Sequence, residues 1–153
     1  MMKKLVVMWA MLLLPFSAFA DEGYVRIYKT QGEFEMVRDA LQMAIEGKGL
    51  VINHTNHIAE MLDRTGKDLG ASKQVYSAGE QFEFCSAALS RRMMEADPQA
   101  MVICPYSVAV YTRPNDKNVY LAYRKPPETR NAALKKAFAE IEQLLDEIIR
   151  DAM

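Results

Sequence analysis

The sequence predicts an α+β fold, a single domain in which helices pack on one face of a mostly antiparallel sheet. Three observations lead to this fold class. Apolar residues recur at every second position in some segments and at helical spacing in others. These segments follow one another in the order β, α, β, α, β, α, β, β, α, and the two consecutive strands argue against a regular doubly wound sheet. No internal repeat or linker divides the sequence.

The first strand is predicted to lead directly into the first helix. Tyr24–Tyr28 alternates between apolar and polar residues, as a half-buried strand does. Thr30 and Glu33 fit a capping box, which would begin a helix. Gly47 and Gly49 can end this helix through left-handed backbone conformations. The apolar face of the helix consists of Phe34, Val37, Leu41 and Ala44 or Ile45.

A second strand and a second helix follow. Leu50–Ile52 begins a strand that continues into residues 53–57. From Ile58, apolar residues at helical spacing predict a short helix, which the Thr65-Gly66 step could divide. Residues 70–80 are rich in turn-forming residue types and predict a loop.

The middle of the chain predicts two strands around a helix. Phe82 and Phe84 alternate with a polar residue and indicate a strand. Ser86 is placed to cap a helix that ends at Asp97-Pro98. Met101–Cys104 is an apolar run that predicts a return to strand.

A hairpin and a long helix complete the predicted fold. Tyr106–Thr112 and Val119–Tyr123 read as strands, and residues 113–117 between them have the composition of a turn. Thr129 can cap the final helix, whose apolar stripe should cover the sheet. The stripe consists of Leu134, Phe138, Ile141, Leu145 and Ile148.

Residues 1–20 have the pattern of a secretory signal peptide. Two lysines are followed by an apolar run and by Ala18-Phe19-Ala20, which resembles a cleavage site. We therefore expect cleavage after this segment and a periplasmic or secreted protein of residues 21–153. Nothing after the segment resembles a stop-transfer sequence, so the mature protein should have no stable membrane anchor.

The charge balance argues against two classes of partner. Removal of residues 1–20 takes away two lysines and no acids, so the formal net charge changes from −1 to −3. Such a protein has no electrostatic reason to bind nucleic acid or an anionic membrane.

Two histidines, His54 and His57, are candidate ligands for a metal ion. On a strand, this spacing would place them on opposite faces. If the chain turns helical at His57, then His57 and Met61 face the same way and can ligate copper or a haem iron. The alternative is a polar or capping histidine at a strand-to-helix junction. Covalent haem attachment is not predicted, because the motif Cys-x-x-Cys-His is absent from the sequence.

Two cysteines, Cys85 and Cys104, flank the predicted helix in the middle of the chain. In an exported protein they can form a disulfide, or they can serve redox chemistry. Cys85 precedes a predicted helix amino terminus, which would lower the pKa of its thiol, and Arg91 and Arg92 would add positive potential. The alternative is a structural disulfide or two buried thiols.

A set of short motifs runs through the chain. It consists of Gly49-Leu50-Val51, Asn56-His57, Phe82-Glu83-Phe84-Cys85-Ser86, Cys104-Pro105-Tyr106 and Val119-Tyr120-Leu121-Ala122-Tyr123-Arg124. Together these motifs resemble the family known as domain of unknown function 302, over residues 25–126. The resemblance implies a small α+β fold that often forms a homodimer, and it implies no established reaction.

The resemblance also singles out individual residues. His57 falls where many family members have an Asp-His step, and Asn56 stands here in place of the acid. The Phe-Cys-Ser and Cys-Pro-Tyr elements resemble an exported subgroup associated with sulfur-oxidising bacteria. The resemblance thus implies a link to sulfur-compound oxidation, whereas family members of the cytoplasmic type lack both cysteines.

Three functional hypotheses follow. The first is an exported, non-catalytic accessory protein that holds a small ligand or a haem-like cofactor in a cleft beside His57. The second is a thiol-based redox or sulfur-handling protein that uses Cys85 and Cys104 and has a periplasmic redox protein as its partner. The third is a structural module that dimerises through a sheet edge or the C-terminal helix.

Overall fold

In residues 23–153, which the computed structural model describes, five strands form one antiparallel sheet. The predicted signal peptide lies outside the described residues. The strands are β1 (Val25–Gln31), β2 (Ile52–Asn56), β3 (Ala78–Phe84), β4 (Tyr106–Thr112) and β5 (Asn118–Arg124). The α-helices are α1 (Phe34–Gly47), α2 (Ile58–Asp68), α3 (Ala87–Ala96) and α4 (Ala132–Asp151), and a 3-10 helix covers Pro98–Ile103.

The strands lie side by side in the order β1, β5, β4, β3, β2. Strands β2 to β5 are therefore neighbours in both sequence and space, and β1 closes the far edge against β5. Each neighbouring pair is antiparallel. The predicted turn joins β4 to β5, and Asn115 in it has a φ of 61°. These findings confirm the predicted α+β fold class.

Helices α1, α3 and α4 share one hydrophobic core with the sheet. Val108, Val110 and Leu121 are among the fully buried residues of that sheet face. The predicted apolar stripe of α4 is confirmed, because all of its members are buried. None of the helices in the described part of the chain is long and apolar enough to cross a membrane.

Helix α2 packs against β3 through a close approach at Gly79. A Cβ atom on Gly79 would lie 3.6 Å from the Cβ of Ala59 and 3.3 Å from the Cβ of Tyr111. Glycine therefore lets the helix and the neighbouring strand side chains approach β3 closely. The Thr65-Gly66 step does not divide α2.

Strand pairing extends two strands beyond their predicted bounds. Strand β1 continues to Gln31, which pairs with Asn118, and α1 begins after Glu33 without a side-chain cap. The predicted capping box of Thr30 and Glu33 is therefore wrong, because Thr30 belongs to the sheet. Strand β3 begins at Ala78, inside the predicted loop, because β4 supplies partners over its whole length.

The predicted strand over Met101–Cys104 is also wrong, because most of this run lies in the 3-10 helix. The Asp97 carboxylate accepts a hydrogen bond from the Gln99 amide at 2.9 Å. Pro98 occupies the first position of the helix, where its missing amide hydrogen costs nothing. Local capping chemistry therefore decides the conformation of a segment whose apolar residues suggested a strand.

Asn131, and not Thr129, caps α4. The Asn131 side chain accepts hydrogen bonds from the amides of Ala133 at 3.1 Å and Leu134 at 3.2 Å. Its own amide group donates to the carbonyl of Ala96 at 2.9 Å, which ties the start of α4 to the end of α3. The Thr129 hydroxyl accepts from the Asn131 amide outside the helix.

Asn131→Ala is expected to lower the free energy of unfolding by about 0.5–2 kcal/mol, the range for losing a helix cap. Thr129→Ala is the matched control and should cost less, because its hydroxyl satisfies no amide of α4. Urea denaturation of both variants measures the difference. A larger loss for Thr129→Ala would contradict the assignment of the cap.

Candidate functional site

A cleft of about 290 Å³ opens between α1, α2 and the start of β3. We call it the histidine cleft, because His57, the residue before α2, lines it. This volume is close to the lower end of the range for ligand pockets, roughly 300 Å³, and therefore suits a small ligand. Its ionisable lining residues are Glu35, Arg38, His57, Glu60, Asp63 and Glu80.

Glu80 links His57 to Arg38 in this cleft. One oxygen of Glu80, Oε1, lies 3.5 Å from Nδ1 of His57 and 3.6 Å from Nη1 of Arg38. The Glu80 side chain is 14% exposed, whereas the His57 side chain is 53% exposed. The carboxylate is therefore the inner member of the pair, and the imidazole lies nearer to solvent. Asp39 is the main cause that raises the pKa of Arg38, so the guanidinium stays charged.

A second group of reactive side chains lies where β3 ends and β4 begins. Phe84 pairs with Tyr106 across these strands, so Cys85 and Cys104 lie just beyond the paired residues. Both cysteines are free and half-buried. The Ser90 hydroxyl oxygen lies 3.0 Å from the Cys104 sulfur and 3.0 Å from the Tyr106 hydroxyl oxygen. We call Cys85, Ser90, Cys104 and Tyr106 the thiol cluster.

The model of the family described as Domain of unknown function DUF302 matches residues 27–152. The chain belongs to the DUF302 family. The match includes both the histidine cleft and the thiol cluster, and it confirms the resemblance inferred from the short motifs. The exported, cysteine-containing subgroup of DUF302 stays a prediction.

The fold is shared with a DUF302 protein of solved structure. The crystal structure of an uncharacterized conserved DUF302 protein from Bacillus stearothermophilus matches with a TM-score of 0.71 and 15% sequence identity. The match covers 86% of this chain and 99% of that chain. At this identity the likeness concerns the fold alone. No curated protein matches the chain.

In this DUF302 protein the carboxylate partner of His57 is Glu80, which sequence reasoning missed. The resemblance implied an acid directly before His57, and Asn56 stands in that position. A signal was nevertheless present, because Glu80 is in phase with Phe82 and Phe84 on the buried face of β3. A charged residue in such a position requires a partner.

The structure does not bring His54 into the histidine cleft. His54 pairs with Glu83 in the sheet. It lies on the same face as Asn56, whose side-chain amide donates to Glu83 at 2.8 Å. Glu80 lies on the opposite face of β3, so the sheet separates His54 from the pair of His57 and Glu80.

Met61 follows His57 by one helical turn, and its amide donates to the His57 carbonyl at 3.1 Å. Its side chain is not part of the cleft lining. Across residues 23–153, no three His, Cys, Asp or Glu side chains are grouped so that they could hold a metal ion. Copper or haem ligation by His57 with Met61 stays a prediction. Metal binding by His54 and His57 also stays a prediction, although the structure places these two histidines on opposite faces of the sheet.

The expected lowering of the Cys85 pKa is wrong. Burial is the main cause that raises the pKa of the Cys85 thiol, and the neighbouring Cys104 thiol is the next. Arg91 pairs with the Glu95 carboxylate at 2.7 Å, and Arg92 pairs with the Glu140 carboxylate at 2.8 Å. Desolvation therefore outweighs the favourable position before α3.

Proposed function

We propose that this DUF302 protein is an exported accessory protein that binds a small polar ligand in the histidine cleft. One observation carries the proposal: the Glu80 carboxylate faces Nδ1 of His57 inside a cleft of about 290 Å³. A carboxylate beside one ring nitrogen orients an imidazole and leaves the other nitrogen, Nε2, for a ligand.

The charges in the cleft favour a polar ligand over haem. Glu80 has Arg38 and His57 as partners, whereas Glu35, Glu60 and Asp63 are exposed around them. A large apolar macrocycle would remove these carboxylates from water without giving them hydrogen bonds, which is unfavourable. A small ligand with several hydrogen-bonding groups can satisfy them.

Export is part of the proposal. It is supported by the arrangement of residues 1–20, in which two lysines, an apolar run and Ala18-Phe19-Ala20 follow one another. A binding protein in the periplasm or outside the cell would meet small ligands before they reach the cytoplasm.

His57→Ala is expected to abolish ligand retention, because it removes the nitrogen that would contact the ligand. Glu80→Gln should weaken binding about tenfold, which corresponds to roughly 1.4 kcal/mol, because the imidazole loses its orienting charge. Native mass spectrometry can measure this. The protein is purified without denaturation and incubated with the low-molecular-weight fraction of the producing cells, and the ligand adduct is quantified.

His54→Ala is the matched control, because it removes the same side chain from the other face of the sheet. It should retain the adduct at the level of the unaltered protein. The proposal fails if the unaltered protein takes up no small molecule, or if His57→Ala retains the adduct as well as His54→Ala does.

A further inference from the structure

The thiol cluster lies outside the histidine cleft and has chemistry of its own. Cys85 directly follows β3, and Cys104 lies two residues before β4, which is the neighbouring strand. Phe84 at the end of β3 pairs with Tyr106 at the start of β4, so the two cysteines lie at the same end of this strand pair. Both are free and half-buried, so a small reagent can reach them while their strands hold them together.

The two cysteines differ in their surroundings. The Ser90 hydroxyl is in contact with the Cys104 sulfur and with the Tyr106 hydroxyl, each at 3.0 Å. Tyr106 can donate to Ser90, and Ser90 can then donate to Cys104. Burial raises the pKa of Tyr106 to about 12, so its hydroxyl stays protonated and able to donate at neutral pH. A thiolate on Cys104 would accept a hydrogen bond from this chain of hydroxyls.

We propose that Cys85 and Cys104 are a redox-active dithiol that reduces aliphatic disulfides, in which Cys104 attacks first and Cys85 resolves the mixed disulfide. The order follows from the Ser90 hydroxyl, which contacts the sulfur of Cys104 and is itself in contact with the Tyr106 hydroxyl. Thiol–disulfide exchange requires a thiolate, and hydrogen-bond donors stabilise that form.

The reaction balances in two steps. The Cys104 thiol loses its proton to solvent, and the thiolate attacks one sulfur of the disulfide R–S–S–R. The S–S bond breaks, a mixed disulfide with Cys104 forms, and the first thiolate leaves and takes a proton from solvent. The Cys85 thiol then loses its proton to solvent, and its thiolate attacks the Cys104 sulfur. The Cys104–SR bond breaks, and the second thiolate leaves and takes a proton from solvent. The protein loses two electrons and forms the Cys85–Cys104 bridge, while the disulfide becomes two thiols.

Trapping the mixed disulfide tests the order of attack. The reduced full chain and the variants Cys85→Ser and Cys104→Ser are incubated with glutathione disulfide and analysed by mass spectrometry. The unaltered protein should lose two protons and carry no adduct. Cys85→Ser should accumulate one glutathionyl adduct at least about tenfold faster than Cys104→Ser does, because Cys104 is the attacking thiol. Far-UV circular dichroism verifies that each variant is folded.

Ser90 provides the test of the hydroxyl chain. In the Cys85→Ser background, Ser90→Ala should slow adduct formation about tenfold, since hydrogen bonds to charged groups are strong. Ser90→Thr should restore most of the rate, because it keeps the hydroxyl. Ser107→Ala is the control, because Ser107 accepts from Gln81 outside the thiol cluster and its loss should leave the rate unchanged.

Two further measurements complete the test. A disulfide-bonded peptide is compared with glutathione disulfide, and the faster reaction identifies a peptide or a small molecule as the class of substrate.

The bridge is also equilibrated with glutathione buffers of varied composition, and a redox-active pair should pass from oxidised to reduced within that series. The proposal is overturned if neither disulfide reacts, if Cys104→Ser forms the adduct faster, or if the bridge stays oxidised in every buffer, as a structural disulfide would.

Discussion

Leu121→Ala is expected to lower the free energy of unfolding by about 2–5 kcal/mol, the range for truncating a buried leucine. Leu121 is fully buried in β5, and its sheet neighbours are Tyr28 of β1 and Val110 of β4. Hydrogen-bonded strands hold these neighbours in place. They cannot move fully into the space of the lost methyl groups, so a cavity remains.

Leu69→Ala is the matched control for this prediction. Leu69 is 83% exposed at the end of α2, so its truncation should change stability by less than about 0.5 kcal/mol. Urea denaturation of both variants, analysed with a common m-value, gives the two free energies. Equal losses at the two positions would contradict the location of the core.

The place of Leu121 in the core could be predicted from sequence, because Val119, Leu121 and Tyr123 alternate with residues of the other face. The same reasoning succeeded for the stripe of α4, where five apolar residues recur at helical spacing. Periodic burial is a property of a single segment. It can therefore be recognised without knowledge of which segments are neighbours.

The incorrect predictions of secondary structure have a different origin. The 3-10 helix of Pro98–Ile103 depends on the Asp97 cap, which competes with an apolar run that would also suit a strand. The extension of β1 to Gln31 depends on its partner Asn118 in β5. In each case a specific partner, the Asp97 cap or the neighbouring strand, decides the conformation, and not the local pattern of apolar residues.

The candidate sites were predictable to different degrees. The first hypothesis placed a cleft beside His57, and the structure has a cleft lined by that residue. Glu80 could not be named as its partner, because the pairing depends on the register of β2 against β3, in which Asn56 pairs with Gln81. The environment of the thiols could not be predicted either, since the Ser90 hydroxyl contacts the Cys104 sulfur and the Tyr106 hydroxyl only through tertiary packing.

Strand β3 connects the two sites. Glu80, near its start, faces the histidine cleft, and Cys85 directly follows its last residue. At a rise of about 3.3 Å per residue, these two positions are roughly 16 Å apart. Substitutions that far apart usually have independent effects. Ligand retention and thiol exchange can therefore be tested separately, and Glu80→Gln should leave disulfide exchange unchanged.

Asp146→Asn is expected to destabilise the protein by about 1–2 kcal/mol at neutral pH, because it weakens hydrogen bonds to a charged group. The Asp146 carboxylate accepts from the buried Tyr28 hydroxyl and from Nε of Arg150, the latter at 2.6 Å. Through Tyr28 it connects α4 to β1. Asp151→Asn is the control in the same helix. Its ion pair with Lys48 is exposed and should contribute less than about 1 kcal/mol.

The pH dependence distinguishes this charge effect from a packing effect. Arg150 is the main cause that lowers the pKa of Asp146 in the folded protein, and the Tyr28 hydroxyl also lowers it. A carboxyl with a lowered pKa stabilises the fold above its unfolded pKa of about 3.9 and loses that contribution as the pH falls through the folded pKa. The stability difference between the unaltered protein and Asp146→Asn should therefore be largest near neutral pH and shrink below about pH 4. A difference that stays constant as the pH falls would show that the asparagine disturbs packing and that the charge of Asp146 contributes nothing.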